Sequence, residues 1–264
     1  MNAEQIVRLM NEEESAVLRA LASAETQLAQ ASEKVAHAFQ SGGRVIYLGA
    51  GTSGRVAIAD AAEMPPTFGI EPDRFIALVP GGSAAHEKAV EDAEDDPNAP
   101  VLELNRLRLG RKDVVIAIAA SGATAFVVAG ARHAREKGVW TCGIANNKDA
   151  PLLQEVDLPI LLDTGPEVLT GSTRLKAGTA QKLALNRIST AAMVLSGKVV
   201  ENLMVDVKAS NRKLKERCAR IVCALTNLTN DEALARLAEN GWSIRRVLAE
   251  SEQALHAGSH TSGA

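Results

Sequence analysis

A chain of 264 residues, 46% of them hydrophobic, is long enough to bury a sizeable core, and with only 3% aromatics that core must be built from Ala, Val, Leu and Ile. A net charge of −3 supplies no field to draw in nucleic acid or a membrane surface, so any anionic ligand has to be held by a local site. Three scattered cysteines (Cys142, Cys218, Cys223) make no disulfide framework, no stretch reaches about 18 uninterrupted apolar residues, and Met1-Asn2-Ala3-Glu4 is not a positively charged signal start, which together point to a cytoplasmic protein.

Residues 4–40 carry apolar positions at helical spacing, from Ile6, Leu9 and Met10 through Val17, Leu18 and Leu21 to Val35 and Phe39, and stop at Ser41-Gly42-Gly43. They predict a helical arm within residues 1–43. Arg44 to Leu48 is a short β-branched and aromatic run bounded by glycine, a buried strand. Gly49-Ala50-Gly51-Thr52-Ser53-Gly54 turns the chain, and Arg55 to Glu63 reads as a helix. Pro65 disfavours helix at Met64 and places Glu63 at a helix end. A strand at 75–79 leads to a Gly-Gly turn, a helix over Ala84 to Glu94 and a short helical pattern at 100–109. Asp113 to Ala119 is again a buried strand, followed by Ala120-Ser121-Gly122-Ala123-Thr124 and a helix to Lys137; Val139 to Ala145 and Val156 to Leu162 add two strands.

This alternation predicts an α/β fold, a three-layer α/β/α sandwich with a parallel sheet of about five strands. The domain organisation expected is the arm at 1–43, a ligand-binding domain at 44–210, and helices with a flexible tail at 211–264. Leu175 to Leu195 reads as a long helix, 208–225 and 231–250 as helical with a break at Asn240-Gly241, and Ala257 to Ala264 as a frayed tail.

Strand, Gly/Ser/Thr loop and helix occur twice, and two such loops at the carboxyl ends of parallel strands lie where a doubly wound sheet places its ligand contacts. Glycines let backbone N–H groups approach an oxyanion, the helix N-terminus adds about half a positive charge, and hydroxyls donate. A phosphate fits such a loop. The glycines at 49, 51 and 54 imitate a dinucleotide fingerprint, but the second strand ends in Pro80-Gly81-Gly82 and offers no carboxylate for a ribose.

GTS at 51–53 and ASGAT at 120–124 resemble the two phosphate-binding loops of the sugar isomerase (SIS) domain. The stretches ADAAEMPPTFG (59–69), AVEDAED (89–95), GPEVLTGSTRLKAGTAQKLALNRIST (165–190) and GKVVENLMVDVKASN (197–211) closely resemble the N-acetylmuramic acid 6-phosphate etherase family, related to the glucokinase regulatory protein. The resemblance implies cleavage of the D-lactyl ether from a muramic acid 6-phosphate, with Glu63 as proton donor and Glu94 as the second catalytic carboxylate. It implies phosphosugar contacts from Gly51, Thr52, Ser53, Ser121, Gly122, Thr124 and Ser172, and leaves open whether Thr173, Arg174 and Lys176 touch sugar or stabilise a turn. It implies no cofactor or metal, and a homodimer whose site is shared between subunits, since a helix over 54–63 is roughly 13 Å long.

Two other readings fit the loops. An aldose–ketose isomerase would also take the C2 proton but return it to C1, and His86 is the one histidine near the motifs that could open a sugar ring. A non-catalytic phosphosugar sensor would bind without turnover.

Overall fold

The computed structural model describes residues 1–82 and 91–259. The chain divides into two compact units, Met1–Ala62 with Pro72–Ser196, and a smaller one of Glu63–Glu71 with Gly197–Ala264.

The larger unit opens with α1 (Ala3–Glu13), α2 (Ser15–Ser23) and α3 (Glu25–Gln40), so the helical pattern over 4–40 is broken at Glu14 and Ala24. The stretch read as an arm supplies part of a layer: α2 and α3 pack along α8 (Lys176–Leu195), and α3 also meets the sheet. That sheet holds β1 (Val45–Gly49), β2 (Phe75–Leu78), β3 (Val114–Ile118), β4 (Trp140–Ala145) and β5 (Leu158–Leu161), all parallel, in the order β2-β1-β3-β4-β5. Register runs Val45 beside Phe75 and Val114, Val114 beside Trp140, and Cys142 beside Leu158. β1 and β3 are buried along their whole length, because helices cover both faces of a parallel sheet. On one face Ile46, Leu48, Val115 and Ala117 pack with Phe126, Val127 and Ala131 of α6 (Ala125–Glu136), which in turn packs on α5 (Asn98–Arg106). Cys142 and Cys218 are buried free thiols, and burial pushes both up from the ordinary thiol range.

Several boundaries differ from the sequence reading. The expected helix over Ala84 to Glu94 lies largely outside the described residues, and Glu91–Asp95 is a single 3-10 turn. The largest difference is α4 (Gly51–Phe68), which starts at Gly51 instead of Arg55 and runs straight through Pro65 and Pro66. Two prolines deprive the carbonyls of Ala61 and Ala62 of their donors, yet Met64, Phe68 and Ile70 are buried and the Gly69 N–H closes on the Pro65 carbonyl at 2.9 Å. Apolar burial outweighs the two lost bonds, so Glu63 is mid-helix and not at a helix end.

In the smaller unit β6 (Val199–Val200) and β7 (Leu203–Met204) form an antiparallel hairpin that the sequence reading missed. α9 (Arg212–Leu225), α10 (Asn230–Glu239) and α11 (Ile244–Ser259) close around Val205, Cys218, Val222, Leu237 and Val247. Asn211 and Thr229 fix two of their starts by accepting from the Leu214 and Glu232 amides. The break at Asn240-Gly241 falls between α10 and α11 as expected. α11 reaches Ser259, so the expected frayed tail does not begin at Ala257, and residues 260–264 lie outside the described residues.

Candidate active site

The order β2-β1-β3-β4-β5 reverses direction between β1 and β3, and the two Gly/Ser/Thr loops follow these adjacent strands. After β1 the helix begins at once: Gly51 takes φ +53°, and the first helical bond beyond the turn is Gly54 N–H to the Ala50 carbonyl at 3.1 Å. The amides of Gly51, Thr52 and Ser53 therefore precede the helix's own ladder, at the positive end of α4. After β3 the chain makes a longer turn. Gly122 sits at φ +67°, with its N–H bonded to the Ala119 carbonyl and its carbonyl to the Leu152 amide, and α6 starts only at Ala125, with Thr124 before it.

The two serines differ. Ser121 is exposed, and its Oγ accepts from the Ala123 amide at 3.2 Å. Ser53 is 6% exposed, and its Oγ donates to Gln181 Oε1 at 2.8 Å. Gln181 Nε2 donates to Asn146 Oδ1 at 3.0 Å, and Asn146 Nδ2 donates to the Leu162 carbonyl at 2.8 Å. This buried chain ties together the carboxyl ends of β1, β4 and β5 through α8.

A second buried cluster anchors α4. Asp60 accepts from the Tyr47 hydroxyl at 2.8 Å, from Asn186 Nδ2 at 2.9 Å and from Ser189 Oγ at 3.1 Å. Burial pushes its carboxyl above the ordinary range, against the pull of those three donors and of the Lys182 charge.

The start of α8 adjoins the first loop. A Cβ on Gly178 would stand 3.1 Å from Thr52 Cγ2 and 3.3 Å from the Thr173 carbonyl. Glu167 caps this helix by accepting from the Lys176 and Ala177 amides at 3.1 and 2.9 Å. Lys176, left open above, is 3% exposed and turns its ammonium to Glu13 Oε2 at 2.5 Å, which holds the Glu13 carboxyl below its ordinary range. Ser172 is half-buried, with its amide on the Leu169 carbonyl and its carbonyl receiving the Leu175 amide, while Arg174 is exposed.

The two carboxylates sit on different elements. Glu94 is half-buried in the 3-10 turn that packs against α6, the helix behind the second loop. Glu63 is exposed on α4. The 51–53 and 120–124 loops thus follow adjacent strands, and the first adjoins the start of α8, while Glu63 falls in the smaller of the two units. A cleft of about 340 Å³ opens at the carboxyl end of β2, lined by Val79 to Gly82, Ala99, Glu103 and Phe126. His86 lies outside the described residues. Among the described residues no group of three or more His, Cys, Asp and Glu is placed to hold a metal ion. Sequence reasoning missed Gln181, Asn146 and Asp60. The signal for Gln181 was a polar residue at a core position of α8, one turn from Ala177 and Ala184.

Residues 27–134 match the family of the glucokinase regulatory protein N-terminal SIS domain, and residues 102–190 match the SIS domain. A phosphoheptose isomerase from Francisella tularensis superposes with a TM-score of 0.56 at 16% identity, covering 75% of this chain and 100% of its own, which is a likeness of fold. The fold and its paired loops are therefore those of a SIS domain. An N-acetylmuramic acid 6-phosphate etherase from Lactobacillus acidophilus is 45% identical over 94% of this chain and 84% of its own length, and one from Deinococcus radiodurans is 46% identical over 93% and 80%. The chain belongs to the N-acetylmuramic acid 6-phosphate etherase family.

Proposed function

We infer that the protein is a carbon–oxygen lyase that cleaves the D-lactyl ether of N-acetylmuramic acid 6-phosphate, releasing D-lactate and N-acetylglucosamine 6-phosphate. The observation that carries this is identity of 45% and 46% to two etherases across more than nine-tenths of the chain. In the open-chain sugar the C1 aldehyde acidifies the C2 proton, and the lactyl ether at C3 lies β to that carbonyl. A base removes the C2 proton, the enolate electrons expel the lactyl oxygen from C3, and an acid protonates the departing oxygen. Water then adds to C3 and a proton returns to C2.

In this reading Glu94 is the base and Glu63 the acid, while the phosphate rests between the loops at 51–53 and 120–124. The positive ends of α4 and α6 favour the anion there. Ser172, just before α8, completes the expected contacts. The assembly in this reading is a homodimer whose site is shared between the two subunits. The exposed apolar side chains of Ile6, Val7 and Leu9 on α1 suit burial against a second copy. A cytoplasmic setting accords with three free cysteines, and no helix among the described residues is long and apolar enough to cross a membrane. The test is incubation with N-acetylmuramic acid 6-phosphate: D-lactate accumulates if the reading holds, a ketose phosphate would indicate an isomerase, and binding without turnover would indicate a sensor.

A further inference from the structure

We propose that Gln181 is a positioning residue that takes up the only hydroxyl proton of Ser53, so that Thr52 and the backbone amides, and not the Ser53 side chain, donate to phosphate at the first loop. The proposal rests on the phosphosugar reading above for its ligand, and on hydrogen-bond direction for its argument.

The direction is fixed from one end. The Leu162 carbonyl can only accept, so the Asn146 side-chain atom 2.8 Å from it must be the NH₂ group. Asn146 therefore turns its Oδ1 to Gln181, which must answer with its own NH₂ at 3.0 Å. That leaves Gln181 Oε1 facing Ser53, 2.8 Å away, and an oxygen without a proton obliges the hydroxyl to donate. A serine hydroxyl has one proton. With it spent inside the protein, Ser53 presents only lone pairs, which the dianionic phosphate of a sugar phosphate, having no proton, cannot use.

Gln181 is 1% exposed, so breaking the chain would strand a buried amide and the arrangement holds itself in place. Thr52 has the opposite disposition. Its methyl group lies toward Gly178 of α8, and its hydroxyl makes no hydrogen bond among the described residues. Among the hydroxyls of the first loop, its proton is the one left to give.

The test measures the dissociation constant of N-acetylglucosamine 6-phosphate at about pH 8, where its phosphate group is a dianion with no proton, alongside thermal melts without ligand, for the wild-type protein and for Thr52→Val, Ser53→Ala, Gln181→Met and the Ser53→Ala/Gln181→Met double variant. Thr52→Val is expected to weaken binding of this sugar phosphate about tenfold or more, as loss of a hydrogen bond to a charged group does. Ser53→Ala, Gln181→Met and the double variant should each weaken it by the same factor of about two to three, since they break one chain, and the melting losses of the two single variants should exceed the loss of the double variant when summed. Tenfold weakening by Ser53→Ala with Gln181→Met near wild type would overturn the proposal, as would unchanged binding in Thr52→Val or strictly additive melting losses. If Gln181→Met does not fold, Gln181→Ala, which removes both side-chain hydrogen bonds and overpacks nothing, takes its place with the same expected coupling. A wild-type protein that fails to bind N-acetylglucosamine 6-phosphate would overturn the phosphosugar reading and the phosphate half of the proposal, while the melts would still decide the chain itself.

Discussion

The two Gly/Ser/Thr loops after β1 and β3 are near copies in composition and opposites in how they are held. Behind the first, α4 is fastened by a buried carboxylate, Asp60, shared with β1 and α8, and Ser53 is locked to Gln181. Behind the second, α6 is tied by partly exposed ion pairs, Arg132 to Glu155 at 2.8 Å and Arg135 to Asp157 at 3.3 Å, and Ser121 stands exposed, its proton given to no acceptor among the described residues. Gly51 and Gly122 differ in the opposite sense. Both have positive φ, but a Cβ on Gly51 meets nothing within 4 Å, whereas one on Gly122 would stand 2.2 Å from the Ala150 Cβ. A rigid, polar-anchored first loop offers amides from a fixed frame, and a second loop with an open serine adds a side-chain donor. In the proposed phosphosugar site, similar motifs would supply different donors because their surroundings differ.

The sharpest way to break this contrast lies in the carboxylates that accompany each loop. Glu94, on the turn packed against α6, should be the base, so Glu94→Gln should lower lactate release by about 10²–10⁴-fold and also abolish exchange of the C2 proton with solvent deuterium. Glu63→Gln, on α4, should slow lactate release by a similar factor while exchange persists, because the enolate still forms. Exchange lost at Glu63 and kept at Glu94 would reverse the two roles; circular dichroism checks that both variants fold.

The glycines come next in size. Gly122→Ala combines a left-handed backbone with a clash against Ala150 and should destabilise by about 2–5 kcal/mol in denaturant melts. Gly51→Ala carries only the conformational cost, about 1–2 kcal/mol. Equal losses would mean that the second loop is as roomy as the first.

The smallest expected effect is a pH dependence of the first loop's anchor. Because burial raises the Asp60 carboxyl in the folded protein, its contribution is fully present below the ordinary aspartate range, near pH 4, and is lost as pH rises through the folded value. Asp60→Asn removes the titration, so wild-type stability relative to that variant should increase as pH falls from 7 toward 4. A difference independent of pH would show that Asp60 is not held in this way.

What the sequence made legible follows from the same physics. β1 and β3 could be read because both faces are buried and every residue is apolar, and the loops because glycine and hydroxyl residues follow each strand directly. The passage of α4 through Pro65 and Pro66 could not, since local propensity forbids it and only the burial of Met64, Phe68 and Ile70 overrides it. Ser53 was legible as a loop serine but not as a committed donor, because its proton's destination depends on Gln181, Asn146 and a backbone carbonyl after β5, distant in sequence and adjacent only in the fold. Glu63 and Glu94 were singled out by motif alone, as nothing in their local sequence distinguishes them from other carboxylates.

The most direct test of the account is to run the reaction on N-acetylmuramic acid 6-phosphate in ¹⁸O-labelled water and locate the label by mass spectrometry. Elimination followed by addition of water to C3 places one labelled oxygen in the C3 hydroxyl of N-acetylglucosamine 6-phosphate and leaves the ether oxygen with D-lactate. After correction for carbonyl exchange at C1, label in the lactate hydroxyl with none at C3 would contradict the account, because the ether would then have been cut on the lactyl side without use of the C2 proton.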